Sequence, residues 1–152
     1  MFKVLLPEKA DNVYQGHILG KWLLYIYIFK SFFAGLLHMF APDGGAQSIG
    51  SVTLDAFSSA GSDSVITMFG LWGMEQVIIG IIALVIITRY QSLIPLAWAI
   101  YALEYLGRFA SRFFTPGLVT LNTPPGAIAD TVLVPLAIFM CLFASWTSKK
   151  TS

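Results

Sequence analysis

The chain has 152 residues, 57% hydrophobic and only 11% charged, with a mean hydropathy of +0.75. So few charges cannot solvate the surface of an ordinary soluble domain, which excludes that class and leaves a single-domain membrane protein. A formal net charge of +1 without any Lys/Arg cluster excludes nucleic acid as a partner.

Residues 1–21 mix Lys3, Pro7, Glu8, Lys9, Asp11, His17 and Lys21 with apolar side chains, predicting a short interfacial segment in which His17 is solvated. Glu8 and Asp11 precede the apolar run, Lys30 lies within it, and no small-x-small site follows, so a cleaved signal peptide is not expected. The first span is read at residues 22–40, with Trp22, Tyr25 and Tyr27 near the headgroup boundary. At ~1.5 Å per residue it just crosses ~30 Å of hydrocarbon. Pro42-Asp43-Gly44-Gly45 ends it as a terminator with flexible glycines. No Lys-Ser/Thr follows and no strand precedes, so this is not a phosphate loop.

Residues 41–65 are rich in Gly, Ser, Ala and Asp and lack Lys and Arg. A weakly amphipathic piece at 49–57 is expected to lie on the membrane surface. The second span, 65–88, carries Glu75 and places Gly70, Gly73 and Gly80 along one side, where another backbone can approach closely. After Arg89 and Tyr90 a tight turn leads to the third span, 92–114, so these two are antiparallel neighbours. A Pro/Gly-rich loop follows, then the fourth span, 127–146, then Lys149 and Lys150.

The expected fold is all-α: an integral membrane four-helix bundle with a longer outer loop between the first two helices. Lys3, Lys9, Lys21, Arg89, Lys149 and Lys150 share one side. The opposite loops hold Asp43, Asp55 and Asp63 and no basic residue, so both termini are expected in the cytoplasm and the protein in the inner membrane. Cys141 is the only cysteine, which excludes an intramolecular disulfide and a thiolate metal cage. In its apolar run it is read as a packing residue.

Charges inside the spans are the candidate site. Lys30, Glu75 and Glu104 each lie about 14–15 Å from the outer end of their span, at one level near the midplane. Arg108 is one helical turn from Glu104 on the same face, and His38, Asp43, Arg112 and Asp130 lie nearer the outer surface. At a helix centre a charge costs ~2.5–3.5 kcal/mol on insertion scales, so the third span needs partners to be stable. One reading is a neutral network that only holds the helices in register. The other is a buried polar site open to the outer side, the default for intramembrane ionisable groups. The expected pairing couples Glu104 and Arg108 with Glu75 and Lys30. Two distant histidines make no metal or haem constellation, and no catalytic residue is assigned.

His38-Met39-Phe40-Ala41-Pro42 at the end of the first span, Gly70-Leu71-Trp72-Gly73-Met74-Glu75-Gln76 followed by Gly80 in the second, and Gly107-Arg108 in the third resemble the DoxX-like small membrane proteins, specifically a family of unknown function within that group. The resemblance covers about residues 22–146 and implies a four-helix membrane bundle. Relatives are associated with quinone-linked thiosulfate oxidation, with methylamine-dehydrogenase maturation, or with no assigned activity.

The leading functional expectation is a non-catalytic integral membrane protein. It would be either an accessory subunit or the binder of a small amphipathic molecule, a lipid or quinone, at the buried charges. The alternatives are a small proton-coupled transporter or ion conduit using Glu75 and Glu104, and a membrane subunit of a quinone-linked redox system. The sequence identifies no cofactor. Expected partners are membrane lipids, with other membrane subunits or a homo-oligomer as further candidates.

Overall fold

The apolar runs, each opened by a capping residue or proline, form helices throughout the computed structural model, which describes residues 2–115, 117 and 120–146. They are α1 (Phe2–Leu5), α2 (Ile18–Phe40), α3 (Ser59–Arg89), α4 (Ile94–Ser111) and α5 (Pro125–Ala144). Four long helices therefore stand where four spans were expected. Among the described residues there is no strand, only an isolated antiparallel bridge between Val52 and Thr120.

Local chemistry sets the boundaries. Ser58 caps α3 by accepting from Gly61 N, and prolines open α4 and α5, where a missing N–H costs nothing. His17 is not simply solvated: its Nδ1 accepts from Leu19 N at 3.2 Å and caps α2. α2, α3 and α5 are each long and apolar enough to cross a membrane. α4 is not among them, having 18 residues that include both Glu104 and Arg108.

The bundle is two helical hairpins, α2 on α3 and α4 on α5, which meet each other less extensively. The α2–α3 crossing is a backbone contact. A Cβ on Gly73 would come 2.5 Å from Gly35 O, and one on Gly35 would come 2.6 Å from Gly73 O. The expected glycine face is thus centred on Gly73, while Gly80 would make only ordinary contact with Phe32 and Gly70 has nothing nearer than 3.9 Å.

His17 lies 5.1 Å from Phe143 between ring centroids, so α2 begins and α5 ends at the same end of the bundle, here called inner. Lys149 and Lys150 lie outside the described residues. The N-terminal segment is not a free interfacial stretch. Ser92 Oγ donates to Asp11 O and accepts from Asp11 N, and Lys21 Nζ donates to Gln91 Oε1, tying this segment and the start of α2 to the α3–α4 turn. Tyr14, half-buried here, has its pKa raised to about 12 by loss of solvent.

The inner half holds the main core. Trp98, Tyr101 and Tyr105 lie on one face of α4, all at 1% exposure or less, and Tyr27 of α2 meets each of their rings edge-on. Two polar tips are satisfied locally: Trp98 Nε1 donates to Gly20 O at 3.0 Å, and Ser31 Oγ and Tyr101 OH share a bond at 3.1 Å.

The outer loop corrects two expectations. Residues 49–57, expected to lie on the membrane surface, instead fold back on the bundle with a single 3-10 turn at Leu54–Ala56. Val52 and Leu54 turn inward with Ala46 against Val65, Ile66 and Phe69, and burying these side chains together removes apolar surface from water. Gly44 and Gly45 are ordered in the left-handed region, at φ 59° and 72°. Asp43 fixes them by accepting from Gly45 N, Gln47 N, Ser48 N and Ser48 Oγ.

Candidate functional site

The looser seam between the hairpins opens, in the outer half, into a cavity of about 550 Å³. Its wall includes apolar Phe33, Leu37, Phe69 and Trp72, together with polar Lys30, His38, Gln76, Arg108, Arg112 and Asp130. The 41–58 loop contributes Gly45, Ile49 and Val52, and Thr115 and Thr120 come from the loop before α5. Lys30 is the deepest charge in this wall. Its Nζ donates to Tyr105 OH at 2.9 Å, where the aromatic core begins.

The charge pairing departs from the expected arrangement. Arg108 does contact Glu104 at 3.4 Å, an ionic approach without hydrogen-bond alignment, since that same Oε1 has no hydrogen-bond partner. Its shorter bond, 2.8 Å, goes to Asp130 Oδ1, and Asp130 Oδ2 accepts from Arg112 at 3.2 Å. Among the described residues Glu75 makes no ion pair and so is not Arg108's partner, and Lys30 makes none with either glutamate. The reason is topological. Arg108 lies one turn before the end of α4 and Asp130 little more than one turn into α5, so an antiparallel hairpin brings them level. Counting depth within single spans had set Asp130 apart from the midplane layer. Arg108 also lies over the rings of Tyr105 (4.6 Å) and Trp72 (5.4 Å), a favourable setting for a guanidinium.

His38 and Asp43 take different roles. His38 Nδ1 must donate to Gly44 O, 2.7 Å away, because a carbonyl only accepts. The neutral ring then carries its acceptor on Nε2. The ring stacks on Trp72 with centroids 4.6 Å apart and lines the cavity. Asp43 stands outside the cavity wall, its carboxylate taken up by loop donors. Desolvation alone would raise its pKa, but bonds from Ser48 and Gly45 outweigh that and hold it below the ordinary carboxylate value.

Among the described residues several buried polar atoms have no hydrogen-bond partner: in and beside the charged layer Glu75 Oε2, Glu104 Oε1, Arg108 Nε, and both the nitrogen and oxygen of the Gln76 amide, and in the inner half the hydroxyls of Tyr14 and Tyr27. Gln76 is 4% exposed and belongs to the cavity wall. A buried polar group left this way costs about 1–3 kcal/mol. Gln76, Trp72 and Tyr105 were not singled out as site residues from sequence. The available signal was a glutamine beside Glu75 in an otherwise apolar span.

The arrangement can enclose an apolar body and present several hydrogen-bond donors to one end of it. Among the described residues no group of three or more His, Cys, Asp or Glu side chains is placed to hold a metal ion. No family model, curated protein or solved structure matches the chain.

Proposed function

We propose that the chain is an integral membrane protein whose four long helices cross the inner membrane with both ends cytoplasmic. It acts without catalysis by binding a small amphipathic molecule, a lipid or quinone, in the outer cavity. The observation that carries this reading is the cavity itself. Its volume is in the range of small-molecule sites, and a mostly apolar wall with a few convergent polar groups is how such sites hold an amphiphile.

The membrane setting is supported by the outward faces. Trp22, Ile26, Phe29, Phe33 and Phe40 of α2 are all at least 60% exposed, a stripe that water would penalise and that lipid or a neighbouring subunit would cover. α4 is carried by its neighbours, since Asp130 and Glu104 compensate the guanidiniums that would otherwise oppose insertion. Membership in the DoxX-like group belongs to the same proposal. Its support is that the motif residues His38, Trp72 and Arg108, drawn from three helices, meet on the cavity wall.

Native mass spectrometry of the chain purified from its membranes in mild detergent tests the binding reading. A stoichiometric lipid- or quinone-sized adduct is expected, and a chain recovered bare under conditions that preserve its fold would sink it. The orientation is tested on a Cys141→Ala background. Single cysteines at Ser59 and Leu121 should react with an impermeant reagent from outside, and one at Ser148 should not.

A second reading, a proton-coupled carrier, is favoured by one observation: Glu75 and Glu104 each bury an oxygen without a hydrogen-bond partner. Proton flux into vesicles containing the chain, abolished by Glu75→Gln, would support it. Vesicles no leakier than protein-free ones would remove it.

A further inference from the structure

We infer that the molecule held in the cavity has an anionic, acceptor-rich head, a phosphate or a carboxylate, received by Lys30, Gln76 and Arg112. This rests on the binding reading above and adds the chemistry of the head.

The inference starts from which charges face the cavity. Lys30 of α2, Arg108 of α4 and Arg112 just after α4 belong to its wall, against one carboxylate, Asp130 of α5. Glu75 and Glu104 do not belong to it. The whole layer is formally neutral, but it is polarised, with its positive side toward the cavity and two carboxylates behind. Asp130 cannot neutralise that face alone, because its two oxygens are already divided between Arg108 and Arg112.

The donors are similarly in excess. An ammonium has three N–H groups, and among the described residues Lys30 makes one hydrogen bond, to a phenol. Among the same residues Arg112 makes one hydrogen bond, to the shared carboxylate, and its side chain keeps 40% of its exposure, so further guanidinium donors remain for a ligand. Gln76 is the independent observation: its amide is buried, unpartnered at both atoms, and set in this wall. The amide supplies two more donors to an oxygen-rich head, and its carbonyl can accept from a protonated phosphate or carboxylic acid oxygen. His38 contributes no carboxylate-like charge, and the wall hydroxyls of Ser111 and Thr115 already donate to Arg108 O and Ser111 O, so they add no negative charge and the donors for a head remain those of Lys30, Gln76 and Arg112.

A cationic head would meet Lys30 and two guanidiniums. A neutral carbonyl head could use the Gln76 amide but would leave the excess positive charge uncompensated. A phosphate or carboxylate answers both features, and charge-assisted bonds are the stronger kind.

The test is competitive native mass spectrometry of the full chain in detergent. The probes are phosphatidylglycerol, phosphatidylcholine and diacylglycerol with identical acyl chains, with inorganic phosphate as a separate arm. Phosphatidylglycerol is expected to be retained at least about tenfold over the other two, the value of losing one charge-assisted bond. Lys30→Met, Gln76→Leu and Arg112→Gln should each reduce that preference. Arg112→Gln is the safeguard for folding, because its site is half open, and Gln76→Leu removes an amide that has no partner to lose. Helical circular dichroism checks each variant.

Equal retention of the three lipids, or an undiminished preference in folded Arg112→Gln and Gln76→Leu, overturns the anionic head while leaving amphiphile binding in place. Retention of none of the lipids, with inorganic phosphate bound and that binding lost in the same variants, keeps the anion site and overturns the amphiphile. No retention of any probe overturns both.

Discussion

The two halves of this bundle are built from the same four helices and solve the problem of buried polarity in opposite ways. In the inner half the core is aromatic and its bonded polar tips pair with neutral groups close by, the Trp98 indole on Gly20 O and Tyr101 on Ser31, while the Tyr27 hydroxyl stays neutral and unbonded among the described residues. In the outer half the helix pairs part around a cavity, the polar groups are charged, and several lack partners. Neutral hydrogen bonds and edge-on aromatic contacts rigidify a seam. Unpaired donors facing a void cost stability, and binding sites commonly accept that cost. On the binding reading proposed above, the inner half is the scaffold and the outer half the site.

The sharpest way to break this contrast is at Asp130, 5% exposed and shared by two guanidiniums. Asp130→Leu should cost ~3–5 kcal/mol, read as a large drop in thermal unfolding temperature in detergent, because both arginines lose their compensation. Adding Arg108→Leu should recover much of the loss, whereas adding Glu75→Leu should not. If Glu75→Leu rescues and Arg108→Leu does not, the outer half is wired differently.

A second comparison separates the backbone contact within one hairpin from the open surface of the other. Gly73→Leu should destabilise by ~1–3 kcal/mol, since a side chain there strikes Gly35 O. Gly107→Ala meets nothing within 4 Å and should stabilise α4 by up to ~1 kcal/mol through helix propensity. Thermal melts of the two variants check both signs, and equal effects would mean that α2 and α3 are not in backbone contact.

Trp98→Phe probes the inner scaffold. It keeps most of the aromatic packing and leaves Gly20 O without its donor, so a loss of about 1 kcal/mol is expected, with the cavity's ligand preference unchanged. A change in that preference would show that the halves are not independent.

The smallest effect is local to the outer loop. The Asp43 pKa is lowered in the folded chain, so its contribution is fully present above the unfolded carboxyl value of about 3.9 and is lost as pH falls through the lower folded value. Protection of the Gln47 and Ser48 amides against hydrogen exchange, relative to their intrinsic rates at each pH, should fall in that acidic range while protection at Trp98 stays high. Asp43→Asn should remove the pH dependence. A loop equally protected at pH 3 and pH 7 would show that Asp43 is not its anchor.

Residue order alone determined the helices. Long apolar runs can satisfy their backbone only as helices, and the residues that break them, Pro42, Gly44 and Pro124, are legible one by one. The i,i+4 contact of Glu104 with Arg108 was legible for the same reason: a helix fixes its neighbours locally. What only the tertiary structure decided was every contact between helices. Arg108 chose Asp130 over Glu75 because the α4–α5 hairpin brings the first pair into bonding distance. Gly73 found Gly35 because of where α2 crosses α3, and Gln76 became an unpartnered wall residue because the hairpins separate there. Periodicity gives each helix a face, but it does not say which neighbour covers that face or where the cover is missing.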